Sequence, residues 1–138
     1  MAGYSGTPLP TKLGIKEQFR VCLIGLPSEV ETELQNALAS CRAVKDREPL
    51  DFAMIFVKTG ADLERNLARL SPRLAAAGML WVSWPKKASG VSTDLSEDQV
   101  RRIGLRAGLV DIKVCAVNDV WSGLKFVIPL KNRASRDS

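Results

Sequence analysis

Apolar residues along this chain fall into short continuous runs and helical stripes, and the two kinds alternate. After a lead rich in glycine and proline over 1–18, "FRVCLIG" (Phe19 to Gly25) reads as a short buried strand. Ser28-Glu29-Val30-Glu31 has the spacing of a capping box, so Ser28 is expected to cap a helix whose Val30, Leu34, Ala37 and Leu38 share one face. A weak strand pattern over 42–45 precedes a strong one, "LDFAMIFV" (Leu50 to Val57). The next helix is expected to start near Asp62, with Leu63, Leu67, Leu70 and Leu74 as its stripe and Gly78 just past its end. "MLWVSW" (Met79 to Trp84) returns as a strand.

Ser96 to Gln99 is a second capping box, and Leu95 with Val100 adds the hydrophobic-staple spacing; Gly108 stops that helix. "LVDIKVCAV" and "LKFVIPL" are the last two strands, joined through "NDVWSG". Pro129 donates no ladder bond, so its strand is expected to be an edge or locally irregular there. The tail over 132–138, "NRASRDS", is expected to be disordered. Strands alternating with helices predict a single α/β domain over 1–131, entered through an extended lead over 1–18. The short last link makes the final strand antiparallel, since parallel neighbours need a long crossover.

Composition narrows the chemistry. At 138 residues and 46% hydrophobic, the chain can bury a core without disulfides or metal. No apolar run approaches the roughly 18 residues of a membrane span, and "MAGYSGTPLPTK" lacks the features of a signal peptide, so a cytoplasmic location is expected. Cys22, Cys41 and Cys115 are widely spaced with no C-x-x-C, and read as small hydrophobes. There is no histidine. That removes Ser-His-Asp and Cys-His triads and the usual zinc sets, and no catalytic residue, metal site or cofactor is assigned. The net charge of +5 is compatible with an anionic partner.

Three stretches carry a resemblance: "GYSGTPLPTKLGIK", "LWVSWPKKASGVSTDLSEDQVR" and "GLVDIKVCAVNDVWSGLKFV". From about Gly3 to Val127 the chain resembles a family of short bacterial proteins of unknown function. Its layout resembles the class I methyltransferase-like Rossmann fold. The resemblance implies a Rossmann-like three-layer sandwich, mostly parallel, with a C-terminal antiparallel strand. A methyltransferase would also carry a loop of the form D/E-x-G-x-G-x-G after the first strand. Here "LIGLPSEVE" keeps only Gly25. Glu29 and Glu31 suit the helix dipole but oppose a phosphate at that helix start. S-adenosylmethionine carries no phosphate, so these carboxylates do not exclude it. Asp46 and Glu48 are either ribose ligands or turn residues before Pro49.

The loop after Trp84 begins at a strand's carboxyl end, where open parallel sheets bind ligands. Lys86 and Lys87 supply charge, Ser89, Ser92 and Thr93 hydroxyls, and Gly90 a turn; Trp84 and Trp121 could be apolar walls. The structural alternative is that Pro85 ends the strand, the lysines are solvated and Asp94-Leu95-Ser96 organises the next helix. A second charged feature is Arg65, Arg69 and Arg73 at i, i+4, i+8 on one helix, with Arg102 and Arg106 repeating the spacing on the next. Together they would form a basic surface for nucleic acid or an acidic protein. The leading expectation is a non-catalytic binding module taking a small anionic ligand or a protein partner at the loop. The alternatives are a divergent S-adenosylmethionine-dependent methyltransferase and a basic-surface nucleic-acid binder or homo-oligomeric scaffold.

Overall fold

The computed structural model describes residues 6–44 and 47–136. Its elements in chain order are α1 (Leu9–Leu13), β1 (Arg20–Ile24), α2 (Ser28–Ala39), β2 (Arg42–Ala43) and β3 (Leu50–Phe56). They continue with α3 (Gly60–Leu70), β4 (Leu74–Pro85), α4 (Glu97–Arg106), β5 (Val110–Ala116) and β6 (Trp121–Val127). The six strands form one sheet in the order β2-β1-β3-β4-β6-β5. β1 to β4 pair in parallel, while β6 runs antiparallel to both β4 and β5. The expected α/β class, with a mostly parallel sheet and an antiparallel C-terminal strand, is the observed one.

Three layers follow from the apolar pattern. β3 and β4 lie mid-sheet and are buried on both faces, which is why they read as continuous apolar runs. On one face Leu63, Leu67 and Leu70 of α3 and Val100 of α4 pack against Ala53, Ile55, Leu80, Val82 and Phe126. On the other, Leu9, Leu13, Val30 and Leu34 from α1 and α2 cover Phe52, Met54, Phe56 and Trp81. Each side chain buried in this way contributes about 1.5–3 kcal/mol. At the amino end of the sheet Arg20 clasps Asp51 through Nε and Nη2, each at 2.9 Å, and its backbone N–H adds a third bond at 2.8 Å. This ties β1 to β3 and holds the Asp51 carboxyl below its ordinary range, chiefly through that side-chain hydrogen bond.

Several sequence expectations are corrected. The lead is not extended throughout: Leu9 and Leu13 are buried, and the indole N–H of Trp81 donates to Leu13 O at 2.9 Å, which fastens α1 to the sheet. Ser28 does not cap α2; Pro27 is the N-cap and Ser28 the first helical residue. α3 begins at Gly60, two residues early, because Thr59 is its N-cap and accepts from Asp62 N. It ends at Leu70, since Pro72 lacks the N–H needed to continue it, so Leu74 opens β4 instead of closing the stripe. Gly78 lies within β4, where a Cβ would stand 2.5 Å from Leu50 O and the register with β3 shifts. β6 is interior and ends at Val127, so Pro129 falls beyond it. Residues 130–135 form a 3-10 helix, and Arg136 Nη1 donates to Ser71 O at 2.8 Å. Over 132–136 the tail is therefore ordered; 137–138 lie outside the described residues.

Candidate functional site

The loop after Trp84 sits at the carboxyl edge of the sheet and is folded by its own hydroxyls. Ser89 Oγ donates to Lys86 O at 2.6 Å and accepts from Val91 N at 3.1 Å. Thr93 Oγ1 donates to Lys58 O at 2.6 Å and accepts from Leu95 N at 3.1 Å. Asp94 completes the tie, accepting from Gly60 N at 2.8 Å. Gly90 takes the left-handed conformation at φ 77° and closes a 3-10 turn. Both hydroxyls thus bind the loop to itself and to the segment after β3. Lys86 N in turn donates to Val120 O at 2.7 Å, fixing the loop to the β5–β6 hairpin.

A cleft of about 490 Å³ opens beside this loop, within the size range of small-ligand sites. Trp84, Lys86 and Lys87 line it from one side, and Ser96, Glu97 and Asp98 from the start of α4. Ser96 is the helix cap, accepting from Gln99 N at 3.3 Å. Glu97 and Asp98 are gathered by Arg101, which reaches them at 2.8 and 3.5 Å and Asp111 on β5 at 2.8 Å. The hydrogen bonds to Glu97 and Asp111 raise the Arg101 pKa, and the one from Arg101 lowers that of Asp111. Among the described residues neither Lys86 nor Lys87 enters an ion pair. The cleft therefore presents both signs of charge.

Of the residues expected at the site, Trp84, Lys86 and Lys87 come together, whereas Ser89, Gly90 and Thr93 shape the loop behind them. Trp121 is not a wall of the same pocket. Ring orientation follows strand alternation, so Trp84 packs in the cluster beneath α3 and α4 while Trp121 joins the cluster on the opposite face. The acidic pair was missed, although its signal lay in the sequence: first-turn carboxylates after the Ser96 cap must flank the end of β4.

Trp121 fills another place instead. In sheets of this order the usual ligand crevice lies between β1 and β3, where the chain reverses its direction of advance. Trp121, at the start of β6, meets Phe56 at the end of β3 edge-on, with ring centroids 5.3 Å apart and planes at 89°. Leu26 and Val120 pack into the same cluster. Gly25, at φ 71°, ends β1 so close to β3 that a Cβ would stand 2.8 Å from Phe56 O. The β1 glycine thus serves chain packing. β2 pairs with β1 only at Arg20 and Val21, so it stops short of the carboxyl edge that Cys22, Leu23 and Ile24 reach. Glu48, a possible ribose ligand, is held by Arg42 at 2.7 Å, on the amino side of β3; Asp46 lies outside the described residues.

The arginine row is broken. α3 and α4 do share one face, but Arg73 falls in the 3-10 turn after α3, and Arg65 pairs with Asp62 at 2.9 Å. Arg69, Arg102 and Arg106 are exposed on the helices. Arg106 and Glu64 rim a groove of about 400 Å³ between α3 and α4 whose walls are apolar, Leu67 and Ile103 among them. All three cysteines are free, and burial pushes the Cys41 and Cys115 thiols up, which keeps them protonated. No helix of the described residues is long and apolar enough to cross a membrane.

No protein-family model matches the chain, and no curated protein matches it in sequence. Solved structures do match. A S-adenosylmethionine-dependent methyltransferase from Aquifex aeolicus superposes with a TM-score of 0.60 at 14% identity, covering 88% of each chain. A precorrin-6y C5,15-methyltransferase from Geobacter metallireducens gives 0.57 at 12% identity, over 88% of this chain and 86% of that one. Aeropyrum pernix fibrillarin with natively bound S-adenosyl-L-methionine gives 0.52 at 12% identity, over 91% and 70%. The chain has the Rossmann-like fold of class I S-adenosylmethionine-dependent methyltransferases.

Proposed function

We propose that the protein is a non-catalytic binding module on a methyltransferase-type fold, taking a small zwitterionic ligand in the cleft at the end of β4. The carrying observation is that Lys86 and Lys87 line the same cleft as Glu97 and Asp98. A ligand carboxylate meets the lysines, and a ligand ammonium meets the acidic pair. The loop after β1 supports the same reading. A nucleoside cofactor lying across the carboxyl ends of β1 and β2 would meet a single glycine there, Gly25, followed by Leu26 and Pro27. β2 pairs with β1 only at Arg20 and Val21, at its amino end. These features count against S-adenosylmethionine in the position usual for such sheets.

The test is a thermal-shift screen of amino acids, dicarboxylates and S-adenosyl compounds, on the native chain and on Lys86→Ala/Lys87→Ala. A ligand near 100-fold its Kd should add about 2.7 kcal/mol. The reading requires zwitterionic hits that vanish in the double variant while its unliganded Tm stays within about 2 °C. Hits that survive in the variant overturn it. Silence across the screen would instead move the loop to a protein partner.

The second reading is a divergent methyltransferase. It rests on the neighbours: three are described as methyltransferases, one of them complexed with S-adenosyl-L-methionine, and the fibrillarin carries the same compound natively bound. The comparisons favour this reading over the module, and the loop after β1, with its single glycine, favours the module over it. Binding of the cofactor by this chain decides between them.

A further inference from the structure

A cavity of about 230 Å³ opens at the amino end of β3 and β4, the end of the sheet opposite the lysine cleft. Three arginines line it, Arg47, Arg73 and Arg136, together with Ser135, Pro49 and Pro72. Among the described residues no Asp or Glu lines it. Glu48, next to Arg47, is turned to Arg42 through contacts of 2.7 and 3.3 Å. Guanidinium groups stay protonated at every physiological pH, so the cavity concentrates positive charge.

One of the three arginines is held in place by backbone carbonyls. Arg136 Nη1 donates to Ser71 O at 2.8 Å and to Leu74 O at 3.2 Å, which leaves its remaining N–H groups free to turn to the cavity. Arg47 sits at φ 72°, a left-handed conformation that a residue with a Cβ adopts at a cost. Arg73 carries the sharper signal. Its Nε is buried and has no hydrogen-bond partner. A buried donor without an acceptor costs about 1–3 kcal/mol, and more when the group is charged. An oxyanion in the cavity would supply that acceptor, accepting from Nε and a terminal nitrogen together.

We propose that this cavity is an anion site for the phosphate group of a small molecule. Three arginines lining one cavity, from the turn before β3, from the 3-10 turn before β4 and from the C-terminal segment, suit an acceptor with oxygens in several directions. A phosphate has that shape and charge, whereas one planar carboxylate is satisfied by a single guanidinium fork. The site is separate from the lysine cleft and does not depend on what that cleft binds.

The experiment follows thermal unfolding of the full chain in phosphate-free buffer, titrated with inorganic phosphate or a simple alkyl phosphate. Sodium chloride at matched ionic strength is the reference. The expected result is a saturable rise in Tm with either probe, beyond that in chloride; the tighter probe names the source of the phosphate. Arg73→Met should weaken the response about ten-fold or more, because a hydrogen bond to a charged group is lost. Arg47 is exposed, so Arg47→Met provides a variant that folds, and it too should lose affinity. Lys86→Ala/Lys87→Ala should respond like the native chain. Equal effects of phosphate and chloride, an undiminished response in Arg47→Met, or loss of the response in the lysine variant would each overturn the proposal.

Discussion

Replacing Gly104 with alanine sets two effects of opposite sign against each other. Inside a helix the exchange gains about 1 kcal/mol, since alanine loses less backbone entropy. Gly104, however, lies where α4 crosses β6, and an added Cβ would run into Cε1 and Cζ of Phe126 and stand 2.9 Å from Cδ1. The obstacle is a ring fully buried in the cluster beneath α3 and α4, not the free end of a flexible side chain. Overpacking of this kind costs about 1–3 kcal/mol, and a locked ring places the cost at the upper end. The net expectation is a loss of about 1–2 kcal/mol, or about 4–8 °C in Tm for a domain of this size. Thermal unfolding followed by circular dichroism measures it. Gly104→Ala with Phe126→Leu should be less destabilised than the sum of the single changes by about 1 kcal/mol, because the smaller side chain admits the methyl. A Tm equal to or above that of the native chain would refute the close crossing of α4 over Phe126. The placement of Ser96, Glu97 and Asp98 beside the cleft would then also need revision.

Three further outcomes follow from the packing and the charges. Trp121→Ala should cost about 3–5 kcal/mol in urea denaturation, because the indole is buried against Phe56; a cost below about 1 kcal/mol would mean the indole is not packed on Phe56 as described. Ser96→Ala should cost about 1 kcal/mol through loss of the α4 cap, and no change would remove that hydroxyl from the cap. The Asp51 carboxyl has a folded pKa below its unfolded value of about 3.9, so its contribution is complete above that value and is lost as pH falls through the folded pKa. Asp51→Asn should therefore lower stability by about 2 kcal/mol near pH 6, with the difference from the native chain shrinking below about pH 4. A difference independent of pH would assign the effect to packing.

The sheet was legible because β-strand runs and helical stripes report burial directly. "LDFAMIFV" and "MLWVSW" are continuous apolar runs for the simple reason that both faces are covered, and "NDVWSG" is too short for anything but a hairpin. Strand ends and side-chain destinations were less legible. Leu74 continues the leucine period of α3 by coincidence of spacing, and only the missing N–H of Pro72 takes it out of the helix. Arg73 looked like the third member of a helical row for the same reason. At the cleft, Trp84, Lys86 and Lys87 could be read because a loop after a parallel strand lies at the ligand edge. Thr93 could not, since whether its hydroxyl faces a ligand or the protein depends on a neighbour distant in sequence, Lys58, and Ser89 could not, since its hydroxyl turns back onto Lys86 and Val91 of its own loop. The arginine cavity drew residues from three separate segments, and no local pattern announces such a meeting.

Titration calorimetry with S-adenosylmethionine and with its demethylated product tests the central claim most directly. With Leu26 and Pro27 where a glycine-rich loop would stand and β2 ending at Ala43, the account predicts no heat of binding at ligand concentrations up to about 1 mM, where about 4 kcal/mol of affinity would register. Saturable one-to-one binding of either compound would contradict it and favour the divergent methyltransferase.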